Sequence, residues 1–273
     1  MPELPEVETV RVTLKEMIIG KTIRDIDVFY DGIIKEVSVK EFKDKLVNQT
    51  LRDIDRYGKY LIFMFDDIAL ISHLRMEGKY FIKQLDENRT KHEHIIFYFT
   101  DGSTLRYHDT RKFGTMNLRR LDEIYKIDPI KKLGYEPFNK LLTVAYLEEK
   151  LKKKTIAIKS ALLDQTIITG LGNIYVDEVL FLSNLSPTKQ SNSLTKKDLK
   201  NVINSSIKVL EKAISLGGTT IRSYTSSLGV TGRFQNELHV HTKEGEECDK
   251  CHSTILKIRV NGRGTYYCPK CQK

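Results

Sequence analysis

The sequence predicts a multidomain α+β chain: β-rich in its first half, helical in its second, and closed by a small metal-held β-ribbon. Three observations carry this expectation. Short β-rich runs broken by turn signals fill residues 21–120, and the apolar period shifts to that of helices from about residue 122. All four cysteines fall within the last 26 of the 273 residues.

The elements follow in order. Behind the opening PELPE, Val7, Val10, Leu14 and Met17/Ile18 recur at helical spacing, and Gly20 supplies a stop. The runs KYLIFMF, IALISHL, HIIFYF and TLRYHD then read as strands, divided by Asp66-Asp67, Glu77-Gly78 and Asp101-Gly102. Their spacing suggests a sandwich or a barrel, interrupted by one helical patch at 41–48. Helices are expected at 143–153, 157–163, 173–183 and 195–216, with Pro187 and the polar QSNS stretch parting the last two. Gly217-Gly218 ends the long helix, and the Gly/Ser/Thr-rich stretch behind it reads as a mobile surface loop. No internal repeat is visible.

Composition narrows the partners. The apolar fraction of 40% suits an ordered globular protein. The net charge of +9, spread along the chain, suits a polyanion, either nucleic acid or an anionic membrane surface. The first ten residues carry three acids and no basic region, no hydrophobic segment follows, and so no secretory signal is expected. Tyr60 to Phe65 is the longest apolar stretch and is far too short to span a bilayer, which makes a cytoplasmic address the default.

Cys248-x2-Cys251 and Cys268-x2-Cys271 lie sixteen residues apart, two hooks suited to one tetrahedral zinc held by four thiolates. With no open position on the metal, its role is structural. Between the hooks, TILKIRV and TYYC read as strands joined through Asn261-Gly262-Arg263-Gly264, which would set Arg263 at the tip of a hairpin. Such an arginine is either solvated or a phosphate contact.

Proline at position 2 has its own chemistry. Removal of Met1 would leave a secondary amine, and α-amino groups titrate near roughly 8 against about 10.4 for lysine. Condensed with an aldehyde carbon, such an amine gives a permanently charged iminium, an electron sink that favours β-elimination. Glu3 and Glu6 flank it as possible general acids, although Pro and Glu are also common at an ordinary helix start.

On several motifs in sequence order the chain resembles the formamidopyrimidine-DNA glycosylases, essentially end to end. These are PELPEVET at 2–9, YGKYL at 57–61, HLRMEG at 73–78, HDTRKFG at 108–114, LLDQTIITGLGNIYVDEVLF at 162–181, and the four-cysteine tail with NGRGTYYC. The resemblance implies an N-terminal catalytic β-sandwich with flanking helices over 1–134. It further implies a helix–two-turn–helix DNA-binding domain over 135–237 with a flexible lesion-recognition loop at about 217–237, and a zinc β-hairpin over 238–273.

The resemblance also implies roles for residues. Pro2 is the Schiff-base nucleophile, Glu3 the proton donor that helps expel the base, Lys59 the proton donor for β-elimination, and Arg263 a participant in δ-elimination. An arginine parts with its proton too reluctantly for acid catalysis, so clamping a phosphate is the more physical role for Arg263. Met76, Arg111 and Phe113 match a trio that fills the gap left by a flipped nucleotide. His92, Lys159 and Asn173 fall at further DNA-contact positions, Asn173 opening a helix behind Gly170-Leu171-Gly172. His73 lies among these motifs, but a lone histidine is usually structural. Thr110 stands where many relatives carry proline, and Lys112 where they carry a second arginine.

The implied protein is a monomeric bacterial enzyme, associated with the nucleoid. Its partner would be duplex DNA bearing an oxidised purine, and its metal one structural Zn2+. Its activity would be that of a bifunctional glycosylase and abasic-site lyase. An endonuclease VIII-type enzyme for oxidised pyrimidines and a non-catalytic damage-binding protein are the alternatives.

Overall fold

The computed structural model describes residues 1–219 and 232–273, and the chain folds as two compact units. One comprises Met1–Lys131 with Gly217–Gly232, the other Lys132–Leu216 with Arg233–Lys273. The 217–237 loop expected from the sequence lies for the most part outside the described residues.

The first unit opens with α1 (Leu4–Ile18), whose buried apolar face is Leu4, Val7, Val10, Leu14 and Ile18, the last four on the stripe read from the sequence. It continues through β1 (Ile23–Val28), α2 (Val39–Leu46), β2 (Asp53–Tyr57), β3 (Tyr60–Met64), β4 (Ile68–His73), β5 (Lys79–Gln84), β6 (Glu93–Phe99), β7 (Ser103–His108) and β8 (Thr115–Arg120). These strands form two antiparallel four-stranded sheets, ordered β1-β6-β7-β5 and β2-β3-β4-β8. The expected sandwich is present. Its core joins Val10 and Leu14 of α1 to Phe42, Leu61, Phe63, Leu70, Phe97, Leu105 and Leu118. Buried aromatics interlock across it, Phe63 against Tyr80 and Tyr80 against Tyr107, with ring centroids 5.3 and 5.2 Å apart.

The second unit holds α3 (Val144–Leu151), α4 (Ile158–Leu163), α5 (Asn173–Leu182), α6 (Lys196–Ser215) and the hairpin of β9 (Leu256–Val260) with β10 (Arg263–Tyr267). Helix α5 is buried along most of its length, including its two acids Asp177 and Glu178. The ribbon is too small for a core of its own. Its Cys248, Ile255 and Cys268 instead pack against Phe181 of α5 and Val240. Among the described residues no helix is long and apolar enough to cross a membrane.

Helix α6 begins in a capping box: Thr195 accepts from the Asp198 amide, and the Asp198 carboxylate accepts from the Thr195 amide. Thr195→Ala is therefore expected to destabilise the protein by about 1 kcal/mol. Paired thermal melts of wild type and variant check this, with Ser186→Ala, whose hydroxyl meets only that of Thr188 on the surface, as the control expected to be near neutral.

Candidate active site and nucleic-acid interface

Pro2 and Glu3 are buried at the head of α1, whereas Met1 is 47% exposed. Glu3 is the N-cap residue, and its amide donates to Oε2 of Glu6 at 2.8 Å, half of a capping box. The other oxygen of the same carboxylate, Oε1, accepts from the amide of Thr219 at 2.7 Å and from its hydroxyl at 3.1 Å. Glu6 thus ties the first residues of the chain to the base of the 217–237 segment. The sequence marks Glu6 as a possible acid; the structure gives it a tethering role.

Lys59 lies in the short turn between β2 and β3 and is almost fully buried. Across the sheet Tyr60 pairs with His73, and their rings meet edge to face at 4.5 Å. Burial, then the charges of Arg75 and Lys59, push the His73 imidazole down to about 3. It is neutral, and its Nδ1 accepts from the Arg75 amide at 2.9 Å. A neutral ring adds no second positive charge beside Lys59. Nearby, burial would raise the Glu8 carboxyl, but hydrogen bonds from Arg11 and Arg56 outweigh it and hold it below the usual range.

Met76, Arg111 and Phe113 stand on two adjoining loops. Met76 is 38% and Phe113 53% exposed, and the Arg111 guanidinium lies 4.9 Å from the Phe113 ring centroid. The loops are joined by a hydrogen bond from Thr110 to Glu77. Beneath them, fully buried Asp109 accepts from the amides of Arg111 (3.0 Å) and Gly114 (2.9 Å) and from the Tyr107 hydroxyl (3.4 Å). A Cβ at Gly114 would stand 1.7 Å from the Tyr107 hydroxyl oxygen and one at Gly78 2.4 Å from it, so both loops close on this one phenol.

His92 is partly exposed at the edge of the same region. Its carbonyl accepts from the Asp109 amide at 3.0 Å, and its ring contacts those of His94 and His108. Neither Tyr107 nor Asp109 stands out in the sequence, although both sit in or beside the HDTRKFG motif.

In the second unit two of the expected residues meet at one atom, the carbonyl oxygen of Gly264. It accepts from Lys159 Nζ at 3.0 Å and from Asn173 Nδ2 at 3.0 Å, and Gly264 follows Arg263 directly. Asn173 is the first residue of α5, as expected. Lys159 requires a correction. Its side chain is fully buried and its ammonium is paired with Asp177 Oδ1 at 2.7 Å, so it has no surface to offer a DNA phosphate.

Arg263 is exposed but is not at the hairpin tip. Asn261 (φ 47°) and Gly262 (φ 74°) form the two-residue turn, and Arg263 begins β10 opposite Val260. Sequence reasoning also missed the two acids of α5. Asp177 and Glu178 interrupt an otherwise apolar helix, which is the signal that could have found them. Glu178 accepts from the amides of His239, Val240 and His241 at 2.8 to 3.0 Å, fixing the segment that leads into the ribbon.

The four cysteine sulfurs lie within 4.8 Å of one another, with Cys251 and Cys268 at 3.4 Å and Cys248 and Cys271 at 3.9 Å. Tetrahedral zinc with Zn–S bonds of about 2.3 Å spaces its sulfurs about 3.8 Å apart, so the cluster fits the ion.

Three family models match the chain. Formamidopyrimidine-DNA glycosylase N-terminal domain covers residues 1–116, formamidopyrimidine-DNA glycosylase H2TH domain 133–225, and a zinc finger found in FPG and IleRS 245–273. The chain belongs to the formamidopyrimidine-DNA glycosylase family. A formamidopyrimidine-DNA glycosylase of Bacillus licheniformis is 50% identical over 274 residues, with both chains covered in full. A Lactococcus lactis FPG mutant in complex with a Fapy-dG containing DNA superposes with a TM-score of 0.93 at 46% identity, again over the whole of both chains. The same holds for a complex of the Lactococcus lactis enzyme with DNA containing an abasic site, at TM-score 0.93 and 46% identity. The glycosylase family's zinc-finger model and the sulfur cluster together support one structural zinc.

Two outcomes follow. Because the folded-state pKa of His73 is depressed, its neutral form supports folding above about 6.5, the value of an unperturbed imidazole, and that support is lost as pH falls toward about 3. NMR titration should show no protonation of this ring between pH 5 and 8, and a midpoint near 6.5 would contradict its burial. Cys268→Ser should weaken zinc binding by more than the roughly 10–100-fold that loss of an outer-shell partner costs. Metal stoichiometry during dialysis against a chelator measures it.

Proposed function

We propose that this chain is a base-excision repair enzyme, a bifunctional glycosylase that removes 8-oxoguanine and formamidopyrimidines from duplex DNA and then cuts at the abasic site. The observation that carries this reading is the full-length membership of the glycosylase family, joined to a buried Pro2 held at the head of a capped helix.

In this reading the exposed Met1 is removed and the Pro2 nitrogen becomes a free secondary amine. That nitrogen attacks C1′ of the damaged nucleotide. The new N–C1′ bond forms as the glycosidic bond breaks, and the departing base takes up a proton. Glu3 protonates the sugar ring oxygen as the C1′–O bond opens, leaving an iminium between Pro2 and C1′. Loss of a C2′ proton into this electron sink expels the 3′ phosphate, with Lys59 as the proton carrier beside a neutral His73. Elimination of the 5′ phosphate follows, and Arg263 holds that anion rather than serving as an acid.

Extruding the nucleotide leaves a hole in the stack. Phe113 wedges the duplex, Met76 plugs the gap, and Arg111 hydrogen-bonds the orphaned cytosine. His92 and Asn173 contact backbone phosphates, Asn173 from the N-terminus of α5. Lys159 serves DNA only indirectly, through the ribbon. Residues 1–134 carry the chemistry, 135–237 grip the duplex, and 238–273 present Arg263. The enzyme works in the bacterial cytoplasm on nucleoid DNA.

Borohydride should trap a covalent adduct between the wild-type protein and duplex DNA carrying 8-oxoguanine opposite cytosine. Pro2→Gly should lose most strand cleavage while retaining lesion binding. Absence of a wild-type adduct would favour a pure damage-binding protein, and cleavage of thymine glycol in preference to 8-oxoguanine would favour the pyrimidine enzyme.

A further inference from the structure

The proposed chemistry leaves unused the most deeply buried charges of the second unit, Lys159 on α4 and Asp177 on α5, whose side chains have no exposed surface. Between them they engage three further residues, Gly264 and Tyr266 of β10 and His241. Asp177 Oδ1 accepts from Lys159 Nζ at 2.7 Å, while Oδ2 accepts from the Tyr266 amide at 3.3 Å and bonds His241 Nδ1 at 2.8 Å. Lys159 in turn donates to the Gly264 carbonyl, which Asn173 also reaches.

The register explains what is being held. In a hairpin closed by a two-residue turn, Arg263 pairs with Val260 and Thr265 with Ile258 through the ladder bonds. The carbonyl of Gly264 and the amide of Tyr266 therefore point away from β9, along the open edge of β10. An edge strand normally leaves such groups to water or to another strand. Here an ammonium and a carboxylate from two helices take both, one on each side of Thr265. The Tyr266 ring is further packed edge-on to His241, centroids 5.0 Å apart.

An apolar pair would fill this space at least as favourably, because a buried ion pair offsets much of its own attraction by desolvation. What an apolar pair cannot do is bond the edge of β10. We infer that Lys159 and Asp177 are positioning residues that fix the open edge of β10 and so set Arg263, the residue immediately before the clamped carbonyl, where it can hold a phosphate. This rests on the reading of Arg263 given above.

The test uses the full-length zinc-loaded protein and separates positioning from general stability. Lys159→Met removes the donor. The double variant Lys159→Met/Asp177→Leu removes both charges together, so that neither is stranded in the interior. Both should keep one zinc per chain, yet hydrogen exchange of the 263–267 segment should accelerate. On duplex DNA with a preformed abasic site, the ratio of δ- to β-elimination product should fall roughly tenfold, as expected for a displaced charge-assisted contact, while borohydride trapping stays near wild type. In an Arg263→Ala background neither substitution should lower the ratio further.

Wild-type exchange of 263–267 in the double variant overturns the inference outright. So does an additive loss in the Arg263→Ala background, or an equal loss of trapping and of δ-product. If Arg263→Ala alone leaves the product ratio intact while exchange accelerates as expected, the role given to Arg263 fails and the positioning of β10 stands.

Discussion

A chain terminus is ordinarily the least ordered part of a protein, and residues placed there are held only by contacts beyond their own neighbours in sequence. The Glu6 carboxylate supplies that constraint. One oxygen takes the amide of Glu3 and the other takes the amide and hydroxyl of Thr219, so a single buried group holds the start of the chain and the base of a distant segment. A carboxyl group that accepts N–H and O–H bonds on both of its oxygens is among the stronger anchors available to a protein interior. It ties the head of α1 down at Glu3, and the apolar face of the helix behind it packs into the core of the β-sandwich.

Charge is managed around Lys59 and the head of α1 as carefully as position. His73 is kept neutral beside Lys59, and Glu8 is kept ionised between two arginines. Asp109, with no exposed surface, spends its oxygens on backbone amides of the loop that carries Arg111 and Phe113. None of these groups needs to touch DNA to matter. They fix the backbone and the local field in which the exposed side chains act.

Much of the architecture was legible because hydrophobic period and turn residues agree. The runs around Leu61, Leu70, Phe97 and Leu105 became β3, β4, β6 and β7, and the helices after residue 143 lie within a residue or two of their expected ends. Strands such as β1 (IRDIDV) and β2 (DIDRY) were harder to read, since half or more of their residues are charged and only Ile23, Ile26 and Ile54 are fully buried in the core. The metal knuckle was plain from cysteine spacing alone. The roles of buried ions were not. Lys159 looked like one more basic contact because a sequence does not reveal that Asp177, eighteen residues on, will face it in a dry interior. Arg263 stands on β10 rather than at the tip because Asn261 and Gly262 suffice to close the hairpin.

The Tyr107 hydroxyl has a consequence for how this surface can change. Gly78 and Gly114 both abut it, so neither loop backbone can acquire a side chain there without displacing a residue buried in the sandwich. The outward-facing positions carry no such restriction: Met76, Arg111 and Phe113 project from a fixed frame. Evolution or engineering can therefore exchange these three side chains like bits in a common chuck while the fold that holds them stays unchanged.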